Sequence, residues 1–211
     1  ASTSMLTRNR LAQFETLDLF WEMLCKWDQE YAGGHLRGFL VQLRNAVVFD
    51  TKRQGTLLSS QALRRHMRNE TMSYLGALGA FCGDMFDSAP PGYQAAFGAK
   101  LVHVARDFSS DCRDGVYNIS REDALRYGFC RSVRGEITFH GQYSWRRDML
   151  HKADVSLRRG ATHLMMAECT DPYRLATTAL IRRYTGLLRL EMINLGPNVN
   201  RKGSEPLGKG E

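Results

Sequence analysis

The chain has 211 residues, of which 43% are hydrophobic and 24% charged, and its formal net charge is +7 at pH 7. This composition excludes disorder over the whole length and leaves room for one domain with a substantial core. The positive charge favours acidic partners, and the odd number and wide spacing of the five cysteines exclude a disulfide framework and favour a reducing compartment.

Three helices are predicted in the first part of the chain. Apolar residues recur at steps of three and four from Thr7 to Tyr31, and Gly33–Gly34 is a suitable end for that helix. Its apolar arc covers more than half of the circumference, so we expect it to be central or to pack on a second subunit. A second helix is predicted from His35 to about Phe49, and a hydroxyl at Ser59 or Ser60 is predicted to cap the third.

The third helix changes character at Ser73, after which Gly76, Gly79 and Gly83 follow closely. Each glycine costs a helix about 1 kcal/mol relative to alanine, and close packing against another element is the usual compensation. We interpret this stretch as a tight helix crossing inside the core, and an oligomer contact is the alternative.

A fourth helix is predicted from Tyr93 to Phe108, followed by a polar loop over Ser109–Tyr117. We place a lobe boundary in that loop, because polar connections separate compact units. The prediction is an N-terminal helical lobe (1–108), a basic C-terminal helical lobe (109–193) and a flexible tail (194–211).

Ser120 and the acidic residues after it predict the start of a short helix. Alternating β-branched residues predict at most one short β-hairpin near residues 131–143. Two further helices are predicted over Ser144–Arg159 and Thr170–Met192, with a break that begins at Gly160. The predicted fold class is therefore mainly α, a single helical domain of about seven to eight helices.

The segment from Ser120 to Glu136 has the element order of a winged helix, but the part after Gly128 is too short for a recognition helix. We therefore keep a helix-turn-helix only as a minor alternative. The predicted core consists of large apolar residues on the helix faces: Phe20, Trp21, Leu24, Trp27, Leu40, Leu43, Leu101, Leu180, Tyr184 and Leu187.

Arginine pairs recur in the basic half of the chain. On helical spacing, Arg182 and Arg189 fall opposite the apolar side of the last helix, and Arg147 and Arg158 lie away from the apolar side of the helix before it. The planar guanidinium donates two hydrogen bonds to a phosphate at once. The predicted nucleic-acid contacts are Arg146, Arg147, Arg158, Arg182, Arg183 and Arg189. The alternatives are solvated helix faces paired with nearby carboxylates, or a face for an acidic protein.

Pro90-Pro91-Gly92-Tyr93 matches the P-P-x-Y pattern that WW domains bind in a polyproline II conformation. Pro90, Pro91 and Tyr93 are therefore the candidate partner-binding residues. The alternative is a helix-breaking turn in which Tyr93 is buried.

The sequence contains no CxxC or HExxH spacing, no GxSxG and no phosphate-binding glycine pattern. We therefore expect no catalytic residues, no metal and no cofactor. A site assembled only by the fold is not addressed by such patterns, so an enzyme stays among the alternatives.

Together these features predict a non-enzymatic, nucleic-acid-associated structural protein, such as a self-assembling nucleocapsid or coat protein that binds RNA phosphates through arginine faces. We expect RNA rather than DNA, a homo-oligomer, no membrane span, and a location in the cytoplasm, the nucleus or a virion. The alternatives are a matrix or adaptor-like protein-interaction module and an enzyme with an unrecognised site.

Overall fold

A computed structural model describes residues 21–86, 88–131 and 137–196 of the chain. The predicted mainly α fold is confirmed, since these ranges contain seven helices and one two-stranded antiparallel sheet. The elements in chain order are α1 (described over 21–31), α2 (His35–Lys52), α3 (Ser60–Cys82), α4 (Tyr93–Arg113), α5 (Arg121–Tyr127), β1 (Phe129–Arg131), β2 (Ile137–Phe139), α6 (Gln142–Met166) and α7 (Asp171–Leu195).

Side-chain caps begin three of the helices where the sequence predicted a start. The Ser59 hydroxyl accepts a hydrogen bond from the amide of Ala62 at the start of α3. The Ser120 hydroxyl does the same for Asp123 in α5, and Thr170 caps α7. Each cap satisfies a backbone amide that has no partner within its helix.

Two predicted interruptions begin later than predicted. Helix α4 continues to Arg113, through half of the predicted loop over Ser109–Tyr117, because Cys112 is buried in the core and keeps the helical period. Helix α6 continues through Gly160 to Met166. Gly160 ends no helix because it lies against α4, where a Cβ atom would be 2.1 Å from the backbone nitrogen of Ala95.

Helix α4 is central, and α3, α6 and α7 pack around it. Ala95 near the start of α4 contacts Gly160 late in α6, and Phe108 near the end of α4 contacts Trp145 early in α6, so the two helices are antiparallel. The main core extends over both ends of this pair and includes residues from Leu63 on α3 to Leu188 on α7.

A second, smaller core joins α1, α2 and the end of α3. Its buried members are Ala32, Leu36, Ala77 and Ala80. The predicted tight crossing is present here, since a Cβ atom at Gly76 would be 2.3 Å from the ring of Phe39 on α2.

Most of the predicted core residues are at least partly buried. Leu101 is buried, and Leu24, Trp27, Leu40, Leu43, Leu180, Tyr184 and Leu187 are half-buried. Trp21 is an error of the prediction, since it is 37% exposed on α1. Phe20 lies outside the described residues.

Helix α4 crosses the predicted lobe boundary, and residues from both sides of it share the main core. The division into two lobes stays a prediction. The tail after Gly196, the first helix up to residue 20 and the hairpin segment 132–136 lie outside the described residues. None of the described helices combines the length and the apolar character needed to cross a membrane.

Candidate nucleic-acid interface

Two of the predicted arginines are held by carboxylates. Arg146 on α6 forms a salt bridge with Glu191 on α7, with 2.8 Å between its Nη2 and the Oε2 of Glu191. Both side chains are largely buried, so this pair ties the two helices together. Arg158 pairs with Asp154 one turn earlier on the same exposed face of α6. The carboxylate partners are those of the alternative interpretation, but only the Arg158 pair lies on a solvated face, since the Arg146 pair is largely buried.

The other predicted arginines are spread over different surfaces. Arg182 and Arg189 are exposed on α7 and form no salt bridge within the described part of the chain. Arg183 lines a cavity of about 470 Å³ between α3, α4 and α7. Arg147 is half-buried on α6. The structure therefore does not assemble the six arginines into one lining, and their role in binding stays a prediction.

The P-P-x-Y segment forms a tight turn. The Tyr93 amide donates to the Pro90 carbonyl, and Gly92 has φ 81° and ψ 1°, as in a type II turn with proline before glycine. The Pro91 carbonyl accepts a hydrogen bond from the buried Tyr173 hydroxyl. This is the helix-breaking turn of the alternative interpretation, although Tyr93 is only half-buried. Binding of a WW domain stays a prediction.

A groove of about 980 Å³ lies between α3, α5 and α6, with the start of α4 as its floor. Five cationic side chains and one histidine line this basic groove: Arg64, Arg68, Arg126, His151, Lys152 and Arg159. Two acidic residues of α5, Glu122 and Asp123, lie along its edge. None of the six arginines predicted from the sequence lines it.

Helical periodicity directs these cations into the groove. Arg64 and Arg68 are one turn apart on α3, and the neighbouring Leu63 and Met67 are buried in the main core. Lys152 and Arg159 are two turns apart on α6 and share one face. The two helices thus present opposing rows of positive charge.

Hydrogen bonds connect α5 to the start of α3 beside the groove. The Glu122 carboxylate accepts hydrogen bonds from the amide and the hydroxyl of Ser60, at 2.8 and 2.9 Å. The Ser60 hydroxyl is also hydrogen-bonded to the Ser120 hydroxyl. Hydrogen bonds from its own backbone amide and from Ser60 hold the pKa of Glu122 below its usual value. The charged carboxylate therefore helps to hold α5 against the start of α3.

None of the five groove cations forms a salt bridge with a carboxylate of the described residues. All five are exposed. Burial raises the pKa of Tyr93, and the positive charge of Arg68 opposes that rise. Uncompensated charge of one sign along a concave surface attracts ions of the opposite sign.

The floor of the groove is aromatic and apolar. The half-buried rings of Tyr93 and Phe97 are stacked, with 6.1 Å between their centroids. Trp145 and Met149, one turn apart on α6, also line the floor and are almost fully buried. The groove therefore combines cationic sides with an aromatic and apolar floor.

The sequence predictions missed the groove cations. The run that contains Arg64 and Arg68 is visible at the start of the third helix, and Arg159 stands beside a predicted residue. The available signal was the four-residue spacing of Arg64 and Arg68 next to buried Leu63 and Met67. That spacing shows that Arg64 and Arg68 lie on one side of the helix, but it does not identify which helix packs opposite that side.

In the described ranges, no group of three or more histidine, cysteine or acidic side chains is placed to hold a metal ion. All five cysteines are free thiols. No protein-family model matches the chain, and no curated protein or solved structure matches it.

Proposed function

We propose that this chain is a non-enzymatic structural protein that binds single-stranded RNA along the basic groove and assembles with copies of itself. The observation that carries the RNA part is the set of five cations, from three helices, that line one groove. None of the five forms a salt bridge with a carboxylate of the described residues. In this proposal the residues that contact RNA phosphates are not the six arginines predicted from the sequence. They are Arg64, Arg68, Arg126, Lys152 and Arg159.

A single strand suits this groove better than a duplex does. Proteins that bind single strands without sequence preference combine a basic channel for the backbone with aromatic rings for the bases. Tyr93 and Phe97 supply half-buried rings on the floor, and the cations stand on both sides. A duplex hides its base faces by stacking, so it would use the cations alone.

The test compares two double variants of equal charge and equal spacing. Lys152→Gln/Arg159→Gln removes two groove cations that are seven residues apart on α6, and Arg182→Gln/Arg189→Gln removes two exposed cations with the same spacing on α7. Fluorescence anisotropy with labelled oligouridine measures the affinity. We expect the groove variant to bind at least about tenfold more weakly, because each lost phosphate contact lowers the release of counterions.

The control variant should bind within about twofold of the unmodified protein, because exposed charges far from the strand are screened by salt. The opposite ranking of the two variants would move the site to α7, as first predicted from the sequence. No binding of oligouridine by the unmodified protein would overturn the proposed function.

The assembly part of the proposal rests on an exposed aromatic cluster between α1 and the end of α3. The Trp27 ring contacts the rings of Tyr31 and Phe81, with centroids 5.8 and 5.1 Å away. Tyr31 is 65% exposed and Phe81 is 52% exposed. Exposed apolar patches of this kind occur at protein interfaces.

The double variant Tyr31→Ser/Phe81→Ser tests this contact. Light scattering should show that it lowers the oligomer mass, and an unchanged mass would contradict the contact.

The free thiols support a reducing compartment, the cytoplasm or nucleus, or a virion that assembles there. The matrix or adaptor-like alternative would use the same aromatic cluster on a different protein. It predicts a monomer in light scattering and no binding of oligouridine.

A further inference from the structure

Trp145 carries a hydrogen-bond donor without an acceptor. Its side chain is 2% exposed, and its indole Nε1 is buried with no hydrogen-bond partner. A buried N–H without a partner is costly, because it has lost its bond to water and gained none. Folded proteins rarely keep such a group without a reason.

Two other polar side chains that line the groove, Ser120 and Asn118, already have hydrogen-bond partners. The Ser120 hydroxyl accepts from the Asp123 amide, and the Asn118 side chain bonds with both Asp111 and Arg53. Four buried side-chain polar atoms of the described chain lack partners, and among their residues only Trp145 lines the basic groove. Within the described residues, Trp145 Nε1 is therefore the one buried side-chain donor without a partner on a residue that lines the groove.

The Trp145 ring is held in place, whereas its neighbour on the floor can move. Its centroid lies 4.5 Å from that of Phe108 and 5.7 Å from that of Phe139, so the indole is fixed from the core side. Met149, one turn further along α6, lines the same floor. Methionine is unbranched and changes rotamer readily, so it can make room beside the indole.

We propose that the floor of the basic groove, between Phe97 and Met149, is a nucleobase pocket in which a carbonyl oxygen of the base accepts a hydrogen bond from Trp145 Nε1. This inference rests on the proposed function, since the phosphates on either side of the base are held by the groove cations. Tryptophan can only donate. The pocket therefore takes a base that turns an acceptor atom towards the indole, as uracil can with a carbonyl oxygen.

The test distinguishes binding to the bases from binding to the sugar-phosphate backbone. Labelled oligouridine and an abasic oligonucleotide of the same length and charge are bound to the unmodified protein and to Trp145→Phe. The unmodified protein should bind oligouridine more tightly. Trp145→Phe keeps an aromatic ring but removes the donor, so it should weaken oligouridine binding about threefold to tenfold and leave abasic binding unchanged.

A second measurement keeps the pocket testable if Trp145→Phe does not fold. Trp21→Phe/Trp27→Phe leaves Trp145 as the only tryptophan, and its fluorescence should change with oligouridine but not with the abasic strand. Equal fluorescence changes with the two strands, or equal affinity of the unmodified protein for them, would overturn the pocket and leave the proposed function standing. Failure of both strands to bind would overturn both.

Discussion

Two glycines set the distance between the central helices. A Cβ atom at Gly160 would be 2.1 Å from the backbone nitrogen of Ala95, and one at Gly98 would be 2.9 Å from the backbone oxygen of Ala153. The end of a flexible side chain can change rotamer to relieve a clash, but backbone atoms of a helix cannot. The close approach of α4 and α6, and with it the position of Lys152 and Arg159, therefore depends on the absence of side chains at these two positions.

The first prediction compares two helical glycines. Gly160→Ala should lower the free energy of unfolding by about 1–3 kcal/mol or more, because the added methyl group forces α4 and α6 apart. Gly186→Ala is the matched control, since nothing lies within 4 Å of its Cβ position on α7. It should raise stability by up to about 1 kcal/mol through helix propensity. Urea unfolding measures both, and equal effects would contradict the role of Gly160.

Asp50 connects α2 to α3. Its carboxylate contacts Arg53 Nε at 2.6 Å and His66 Nε2 at 3.0 Å. Burial raises the pKa of Asp50, but the hydrogen bonds from His66 and Arg53 outweigh it and hold the pKa below the ordinary value of 3.8. Since the folded pKa is the lower one, the stabilisation is complete above the unfolded pKa and is lost as the pH falls through the folded pKa.

The second prediction follows from that sign. Asp50→Asn should lower the free energy of unfolding near neutral pH, because the charged form that the fold favours is absent. The difference between the two proteins should shrink as the pH falls from about 5 to about 2. Urea unfolding at several pH values measures this difference, and a difference that grows in acid would show that the carboxylate is destabilising when charged.

At the scale of elements, the starts of helices were predictable and their continuations less so. Ser59, Ser120 and Thr170 each bond to an amide three residues further on, so the signal lies within four residues of sequence. Gly160 shows the opposite case. Its cost to the helix is local, but the packing on Ala95 that outweighs this cost comes from a residue 65 positions away.

The site was harder to predict for a similar reason. The sequence predicts which side of α3 carries Arg64 and Arg68, and which side of α6 carries Lys152 and Arg159. It does not show that these two faces meet, because the helices are far apart in the chain. Helical spacing predicts an outward face for Arg182 and Arg189 on α7, but neither residue lines the basic groove.

The third prediction concerns α5, which has seven residues and carries Arg126 to the groove. Ser120→Ala removes both the cap to Asp123 and the bond to Ser60. We expect a loss of about 1–2 kcal/mol in unfolding free energy and weaker RNA binding, because a helix this short depends on its cap. Ser144→Ala, at an exposed position near the start of α6, is the control and should change neither quantity. Thermal unfolding and anisotropy measure them.

At the scale of the whole molecule, the net charge of +7 is less informative than its placement. Long-range attraction brings any polyanion close, but only cations in contact with phosphates release counterions. The salt dependence of binding therefore counts contacts, independently of the absolute affinity.

The fourth prediction uses this count. If all five groove cations contact phosphates, the affinity for single-stranded RNA should fall with a slope of about 3.5 in a plot of log affinity against log salt. Lys152→Gln/Arg159→Gln should lower the slope by about 1.4, whereas Arg182→Gln/Arg189→Gln should leave it unchanged. Titrations at several salt concentrations give the slopes, and equal slopes for all three proteins would exclude contacts at Lys152 and Arg159.

Helix α3 belongs to both cores, with Leu63 and Met67 in the main one and Ala77 and Ala80 in the small one. The small core has few buried side chains, so it can open on its own while the main core stays closed. In native-state hydrogen exchange, amides in residues 21–40 should therefore exchange at a lower opening free energy than those of α4. Arg64 and Arg68 lie on the half of α3 that belongs to the main core. Under the proposed function, RNA would therefore stay bound while subunit contacts at Tyr31 and Phe81 form and break.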